Sequence, residues 1–99
     1  MDLAYSVNSI PIRLTHERWY HITENHDELA SYFFEVLDAV ENPDRVLRGN
    51  RGTLKAVRNY GKRKWLTVIY KETSKTNGFV ITAYFLGTRP KGEVIWRPQ

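Results

Sequence analysis

Residues 65–86, WLTVIYKETSKTNGFVITAYFL, decide the fold that this sequence predicts. Trp65 to Tyr70 and Phe79 to Leu86 are rich in β-branched and aromatic residues, which is typical of central strands. Thr76-Asn77-Gly78 between them favours a tight turn. We therefore expect two antiparallel strands joined by a hairpin. By simple alternation, Thr82 should share a face of its strand with Val80.

Two more strands are predicted before this hairpin. Arg45 to Arg48 is followed by Gly49-Asn50-Arg51-Gly52, and Thr53 to Tyr60 is followed by Gly61-Lys62-Arg63. Both connecting segments have the composition of turns. Within the second strand, Lys55 and Arg58 are three residues apart and should point to opposite faces, but which face is the inner one is left open.

The two ends of the chain offer weaker strand patterns. Ser9 to Leu14 alternates and is read as a short strand or an extended arm, which Pro11 would confine to an edge. Val94 to Trp96 is read as a final short strand or as a tail packed on the sheet.

Helical patterns lie between residues 15 and 43. Thr15 is a candidate N-cap, and the helix it begins should run to about Glu24. A second helix is predicted to start at Asn25-His26-Asp27 and to reach about Val40, because apolar residues recur there at helical spacing. The predicted fold is therefore α+β, a single domain over residues 1–99 with N-terminal helices packed on one face of a four-stranded antiparallel sheet.

Composition excludes several functional classes. The chain has 99 residues, 41% hydrophobic and 26% charged, as in an ordinary globular domain. Cysteine is absent, which removes disulfides, thiolate metal sites and cysteine nucleophiles. There is no phosphate-binding glycine loop, nucleophile elbow or dinucleotide fingerprint. No apolar run is long enough to span a membrane and the N-terminus lacks a signal-peptide pattern, so we expect a cytoplasmic protein without a cofactor.

Charge is distributed unevenly along the chain. Residues 1–44 hold nine acidic and two basic residues, whereas residues 45–75 hold ten basic residues and one acidic residue. Such asymmetry suggests a polyanionic partner. Two structural explanations stay open: an acidic helical half that neutralises a basic sheet, or cations that protect edge strands from aggregation.

Aromatic residues alternate with cations in the basic half. Tyr60, Trp65 and Tyr70 lie among Arg58, Lys62, Arg63, Lys64 and Lys71. Unpaired RNA is bound by this combination, because bases stack on rings and phosphates pair with cations. Many of these rings would equally suit the core. The three histidines, His16, His21 and His26, fall at five-residue spacing, which does not place them on one helical face, so no metal site is expected.

Several strings together resemble a known family. They are IRLTHERWYHI at residues 12–22, ENPD at 41–44, LTVIYK at 66–71 and FVITAY at 79–84. In this order they resemble small phage-associated nuclease-like domains of the barnase–EndoU–colicin–RelE group, over about residues 10–86. The resemblance implies a metal-independent RNase fold with RNA on the open face of the sheet. Cleavage in such folds proceeds by attack of the 2′-hydroxyl on the adjacent phosphate.

The resemblance also suggests roles for individual residues. His21 and Thr82 match positions that these domains tend to keep polar, while Arg58 and Lys55 match only through their place on the basic strand. In an endoribonuclease, His21 would be the general acid/base, Arg58 and Lys55 would stabilise the phosphorane, and Thr82 would donate to a phosphate oxygen. Lys62, Arg63, Lys64 and Tyr60 would bind the RNA strand. Two alternatives remain: a non-catalytic nucleic-acid-binding module, and a domain that binds an acidic protein such as an antitoxin.

Overall fold

The computed structural model describes residues 2–99, which form seven strands and two α-helices. In chain order they are β1 (Asp2–Tyr5), β2 (Pro11–Leu14), α1 (His16–Asn25), α2 (Phe33–Glu41), β3 (Arg45–Arg48), β4 (Leu54–Asn59), β5 (Trp65–Ser74), β6 (Asn77–Leu86) and β7 (Val94–Trp96). Short 3₁₀ turns occupy Asp27–Leu29 and Asn50–Gly52.

All seven strands belong to one mixed sheet. Their order is β1-β2-β6-β5-β4-β3-β7. β2 and β6 run parallel, and the other neighbouring pairs are antiparallel. The prediction of a four-stranded antiparallel sheet with helices at the N-terminus is therefore wrong. Three short strands were not counted in it, and two of these precede the helices.

The three uncounted strands are short. β1 and β2 contain four residues each and β7 contains three. They are stabilised by pairing with neighbouring strands. A pattern within a few residues does not reveal such long-range pairing. Pro11 does not put β2 at the edge, because β1 pairs outside it. Pro11 is the first residue of β2, a position where a missing N–H is tolerated.

The first helix begins as its sequence predicts, whereas the second begins later. The Thr15 hydroxyl accepts the Arg18 N–H at 3.0 Å, so Thr15 is the N-cap of α1. Residues 27–29 form a 3₁₀ turn instead of opening α2. In this turn the Ala30 N–H donates to the Asp27 carbonyl at 3.1 Å, an i→i+3 bond. Regular α-helix therefore starts only at Phe33.

The main core lies between the helices and one face of the sheet, which we call the helix face. Leu66, Val68 and Tyr70 of β5 are fully buried there, in one cluster with Ile22 of α1 and Val36 of α2. Leu54, Ala56 and Arg58 of β4 are cross-strand partners of Tyr70, Val68 and Leu66. Since paired residues share a face, Arg58 points to the helix face and Lys55 to the opposite one.

The hairpin between β5 and β6 is shifted relative to the predicted turn. Lys75 and Thr76 form the turn, while Asn77 and Gly78 already belong to β6. Gly78 is needed because Ile12 and the Lys71 carbonyl approach it closely, and not because the chain turns there. A Cβ atom there would lie 2.5 Å from Ile12 Cδ1 and 2.6 Å from the Lys71 carbonyl oxygen.

A bulge in β6 changes which side chains share a face. Ile69 pairs with Thr82 and Tyr70 pairs with Val80, so Ile81 has no partner in β5. Val80 is buried in the core, whereas Thr82 lies on the opposite face with Lys55 and Ile69. The predicted shared face of Val80 and Thr82 is therefore wrong, because alternation does not account for an extra residue.

The connection from β6 to β7 covers part of the sheet face opposite the helix face. β7 lies beyond β3, so residues 87–93 must cross from one side of the sheet to the other. Gly92 lies against the side chain of Leu47, which is buried on this face together with Val57 and Thr67. Among the helices of residues 2–99, none is long and apolar enough to cross a membrane.

Candidate nucleic-acid interface

The face of the sheet that points away from the helices carries the candidate site. We call it the outer face, and strand register assigns its members, because cross-strand partners lie on the same side. Its main residues are Arg13, Arg45, Lys55, Trp65, Ile69, Lys71, Phe79, Thr82 and Tyr84.

The outer face is positively charged. Arg13, Arg45, Lys55 and Lys71 lie on it, and the strands as described place no carboxylate there. Glu72 follows Lys71 but points to the other side, where it accepts hydrogen bonds from Ser6 Oγ at 2.6 Å and Asn8 Nδ2 at 3.1 Å. The cations of this face are therefore left without an acidic neighbour on the sheet.

An aromatic ring lies between two of these cations. Phe79 pairs with Arg13 of β2 on one side and with Lys71 of β5 on the other. Neighbouring strands are about 4.8 Å apart, so the side chains of Arg13 and Lys71 leave the sheet on either side of the Phe79 side chain. Phe79 is 40% exposed, although a phenylalanine in a strand is normally buried. This row offers a stacking surface with positive charge on both sides.

A second row contains two of the predicted catalytic residues. Lys55, Ile69 and Thr82 are consecutive partners across β4, β5 and β6. Lys55 and Thr82 are therefore two strand spacings apart, about 10 Å. The structure thus places these two residues on the same face, with the half-buried Ile69 between them.

Arg58, the third predicted catalytic residue, is neutralised on the opposite side of the sheet. Its Nε lies 3.2 Å from Asp38 Oδ2, and an Nη donates to the Asn42 carbonyl. The guanidinium carbon is 5.6 Å from the centroid of the Tyr60 ring. Arg58 therefore fastens β4 to the C-terminal end of α2 and does not share a face with Lys55 or Thr82.

Tyr60 is part of the same helix-side cluster. Its hydroxyl donates to Asp38 Oδ2 at 2.5 Å, and its ring packs against the core. Burial, together with the hydrogen bond to Asp38 and the charge of that carboxylate, raises the pKa of Tyr60 well above its usual value. A ring held in this way contributes to packing and has one face occupied by Arg58.

His21, the predicted general acid/base, is exposed on α1. Its Nδ1 lies 3.7 Å from Glu24 Oε1. Within residues 2–99, no hydrogen bond or ion pair joins His21 to Lys55, Arg58 or Thr82. Of the other histidines, His16 begins α1, and His26 follows it with its ring 6.0 Å from that of Tyr84.

The predicted RNA-binding lysines and arginine form the turn between β4 and β5. Lys62, Arg63 and Lys64 are exposed there. Lys64 Nζ donates to the Tyr32 hydroxyl at 3.1 Å and lies 5.8 Å from the centroid of that ring. Lys62 and Arg63 make no side-chain hydrogen bond or ion pair within residues 2–99, so this turn is a separate cationic group at one end of the sheet.

Arg13, Lys71 and Phe79 were not singled out together from the sequence. Arg13 is 58 residues before Lys71, and only the parallel pairing of β2 with β6 brings it beside Phe79. The missing information was the long-range pairing.

Comparisons with known proteins identify no relative. No protein-family model, no curated protein and no solved structure matches this chain. The resemblance to the barnase–EndoU–colicin–RelE group therefore stays a prediction.

Proposed function

We propose that this protein binds single-stranded RNA on its outer face. The observation that carries the proposal is the row in which exposed Phe79 lies between Arg13 and Lys71. Bases of an unpaired strand stack on aromatic rings, while the phosphates on either side pair with cations. The strands of residues 2–99 place no carboxylate on this face, which supports a polyanionic ligand.

The aromatic component favours RNA over an acidic protein. An acidic partner would need only the cations, whereas the outer face also exposes Phe79 and half-exposes Trp65 and Tyr84. A sheet surface with exposed rings suits a splayed single strand better than a double helix, whose bases are already stacked on one another.

Replacement of Phe79 tests the proposal. We expect Phe79→Ala to weaken binding of a fluorescent mixed-sequence RNA by about 1–3 kcal/mol, the usual contribution of one base–aromatic stack. Phe34→Ala is the matched control, because Phe34 is 75% exposed but lies on α2, away from the outer face. Fluorescence anisotropy measures both affinities. Equal affinities for the two variants, or no binding by the unmodified protein, would reject the proposal.

Cleavage of the bound RNA is a second candidate function. The observation that favours it is that Lys55 and Thr82 lie in one row of the proposed RNA-binding face. The RNA from the same titration, kept in EDTA and run on a gel, tests it against Thr82→Val, which removes the hydroxyl group of this row and leaves the charge of the face unchanged. Shortened RNA with the unmodified protein and intact RNA with the variant would support an endoribonuclease. Intact RNA with both would leave a binding module.

A further inference from the structure

A second cationic feature lies at the far edge of the outer face. A cavity of about 410 Å³ opens between β3, β7 and the connection that precedes β7. This volume is within the usual range of small-ligand pockets, about 300–1,000 Å³. Its walls combine three apolar residues with three cations: Leu47, Pro90 and Val94, and Arg45, Arg89 and Lys91.

The cations of this cavity have no acidic partner. Within residues 2–99, none of Arg45, Arg89 and Lys91 forms an ion pair. Two carboxylates lie close to these cations in the sequence, and both have other partners. Asp44 Oδ2 accepts the Asn59 N–H at 2.8 Å, and Glu93 Oε1 is 2.9 Å from Arg48 Nε. The cavity is therefore positive, and no side chain of the described chain balances it.

Arg45 contributes a buried donor without an acceptor. Its Nε is fully shielded from solvent and has no hydrogen-bond partner. A buried, charged donor that remains unpaired is costly, so such groups are usually found with an acceptor. An oxyanion seated in the cavity would place a negative charge beside the Arg45 guanidinium and would balance Arg89 and Lys91 as well.

We propose that this cavity binds the phosphorylated end of an RNA strand, an inference that rests on the proposed RNA binding by the outer face. A terminal phosphate monoester carries about −1.5 to −2 charges at pH 7, against one for an internal phosphodiester. Three cations therefore match a terminal phosphate better. Pro90 and Val94, which lie beside the buried Leu47, provide an apolar surface for the terminal sugar or base.

The position of the cavity allows one RNA strand to contact both Phe79 and the cavity. Arg45 is an outer-face residue of β3, and β3 is three strands from β6, which carries Phe79. Three strand spacings amount to about 14 Å across the sheet, and Arg45 lies four residues further along the strands than the Phe79 row, so the two are about 20 Å apart. Lys55 lies between them on β4. A short single strand that stacks on Phe79 can therefore follow these cations to the cavity.

Three RNAs of one sequence test the inference: one with a 5′-phosphate, one with a 3′-phosphate, and one with hydroxyl groups at both ends. We expect one phosphorylated strand to bind at least about tenfold tighter than the unphosphorylated strand, as for a charge-assisted contact. The double variant Arg89→Gln/Lys91→Gln should abolish this preference. It changes only exposed loop residues, so folding should be preserved. Lys75→Gln/Arg97→Gln removes the same charge elsewhere and should retain the preference.

The outcomes separate this inference from the proposed function. Equal binding of all three RNAs, or a preference that survives in Arg89→Gln/Lys91→Gln, overturns the phosphate site and leaves RNA binding intact. No binding of any RNA overturns both. Adenosine monophosphate serves as the free-nucleotide probe: if it binds as tightly as the phosphorylated strand, the cavity is a mononucleotide site and the strand-end inference is wrong.

Discussion

Individual side chains of the basic strand have different roles according to the face on which they lie. Lys55 and Arg58 are three residues apart, and their opposite directions could be predicted from that spacing alone. The neutralisation of Arg58 could not be predicted from the spacing, because its partner Asp38 belongs to a helix 20 residues earlier. The pairing depends on how α2 packs on β4, which is a tertiary property.

Asp38 should stabilise the fold through its charge. Burial alone would raise the pKa of Asp38, but hydrogen bonds from Tyr60 and Asn42 and the charge of Arg58 outweigh it and hold the pKa below its ordinary value. We expect Asp38→Asn to lower the free energy of unfolding at pH 7 by about 1 kcal/mol, a small value because solvent screens this half-exposed pair. Urea denaturation measures the change.

The same variant should alter the pH dependence of stability. Because the pKa of Asp38 is lower in the folded than in the unfolded state, its contribution is complete above the unfolded value of about 4. It is lost as the pH falls through the folded value. The difference between Asp38→Asn and the unmodified protein should therefore shrink in acid. A difference that stays constant from pH 7 to pH 3 would contradict this role.

Among the elements, the parallel contact between β2 and β6 does most to shape the candidate site. It places Arg13 beside Phe79 and brings Ile12 over Gly78. The hairpin of β5 and β6 could be predicted from residues 65–86, since its strands are long and pair locally. The alternation of Ser9 to Leu14 indicated a strand, but the place of β2 in the sheet could not be predicted, because its partner is more than 60 residues away.

Gly78 should be essential for this contact. We expect Gly78→Ala to lower the free energy of unfolding by about 1–3 kcal/mol, because the added methyl overlaps Ile12 and the Lys71 carbonyl. Gly87→Ala is the matched control: no atom lies within 4 Å of a Cβ at that position. It should change stability by no more than about 0.5 kcal/mol. Equal effects in chemical denaturation would show that β2 and β6 are not packed as described.

For the whole molecule, the uneven charge of the sequence becomes a difference between two surfaces. Most carboxylates of residues 2–44 lie on the helices or in their connections, whereas Arg45, Lys55 and Lys71 point from the strands to the outer face. The charge reversal near residue 45 could be found in the sequence. The position of Arg13 on the basic side could be recognised only from the fold. The acidic residues of the helices and the basic residues of the outer face lie on different surfaces of one small domain. This separation favours binding of a polyanion to the outer face alone.

The most direct test of RNA binding by the outer face is methyl and aromatic NMR during titration with an unphosphorylated single-stranded RNA. Side chains of the two faces of one strand point in opposite directions, so this measurement distinguishes the faces. We predict shifts of the Phe79 ring and of the Ile69 and Thr82 methyl groups, with the methyl groups of Leu37 on α2 unchanged. Shifts confined to α1 and α2, or no shifts at all, would contradict the account.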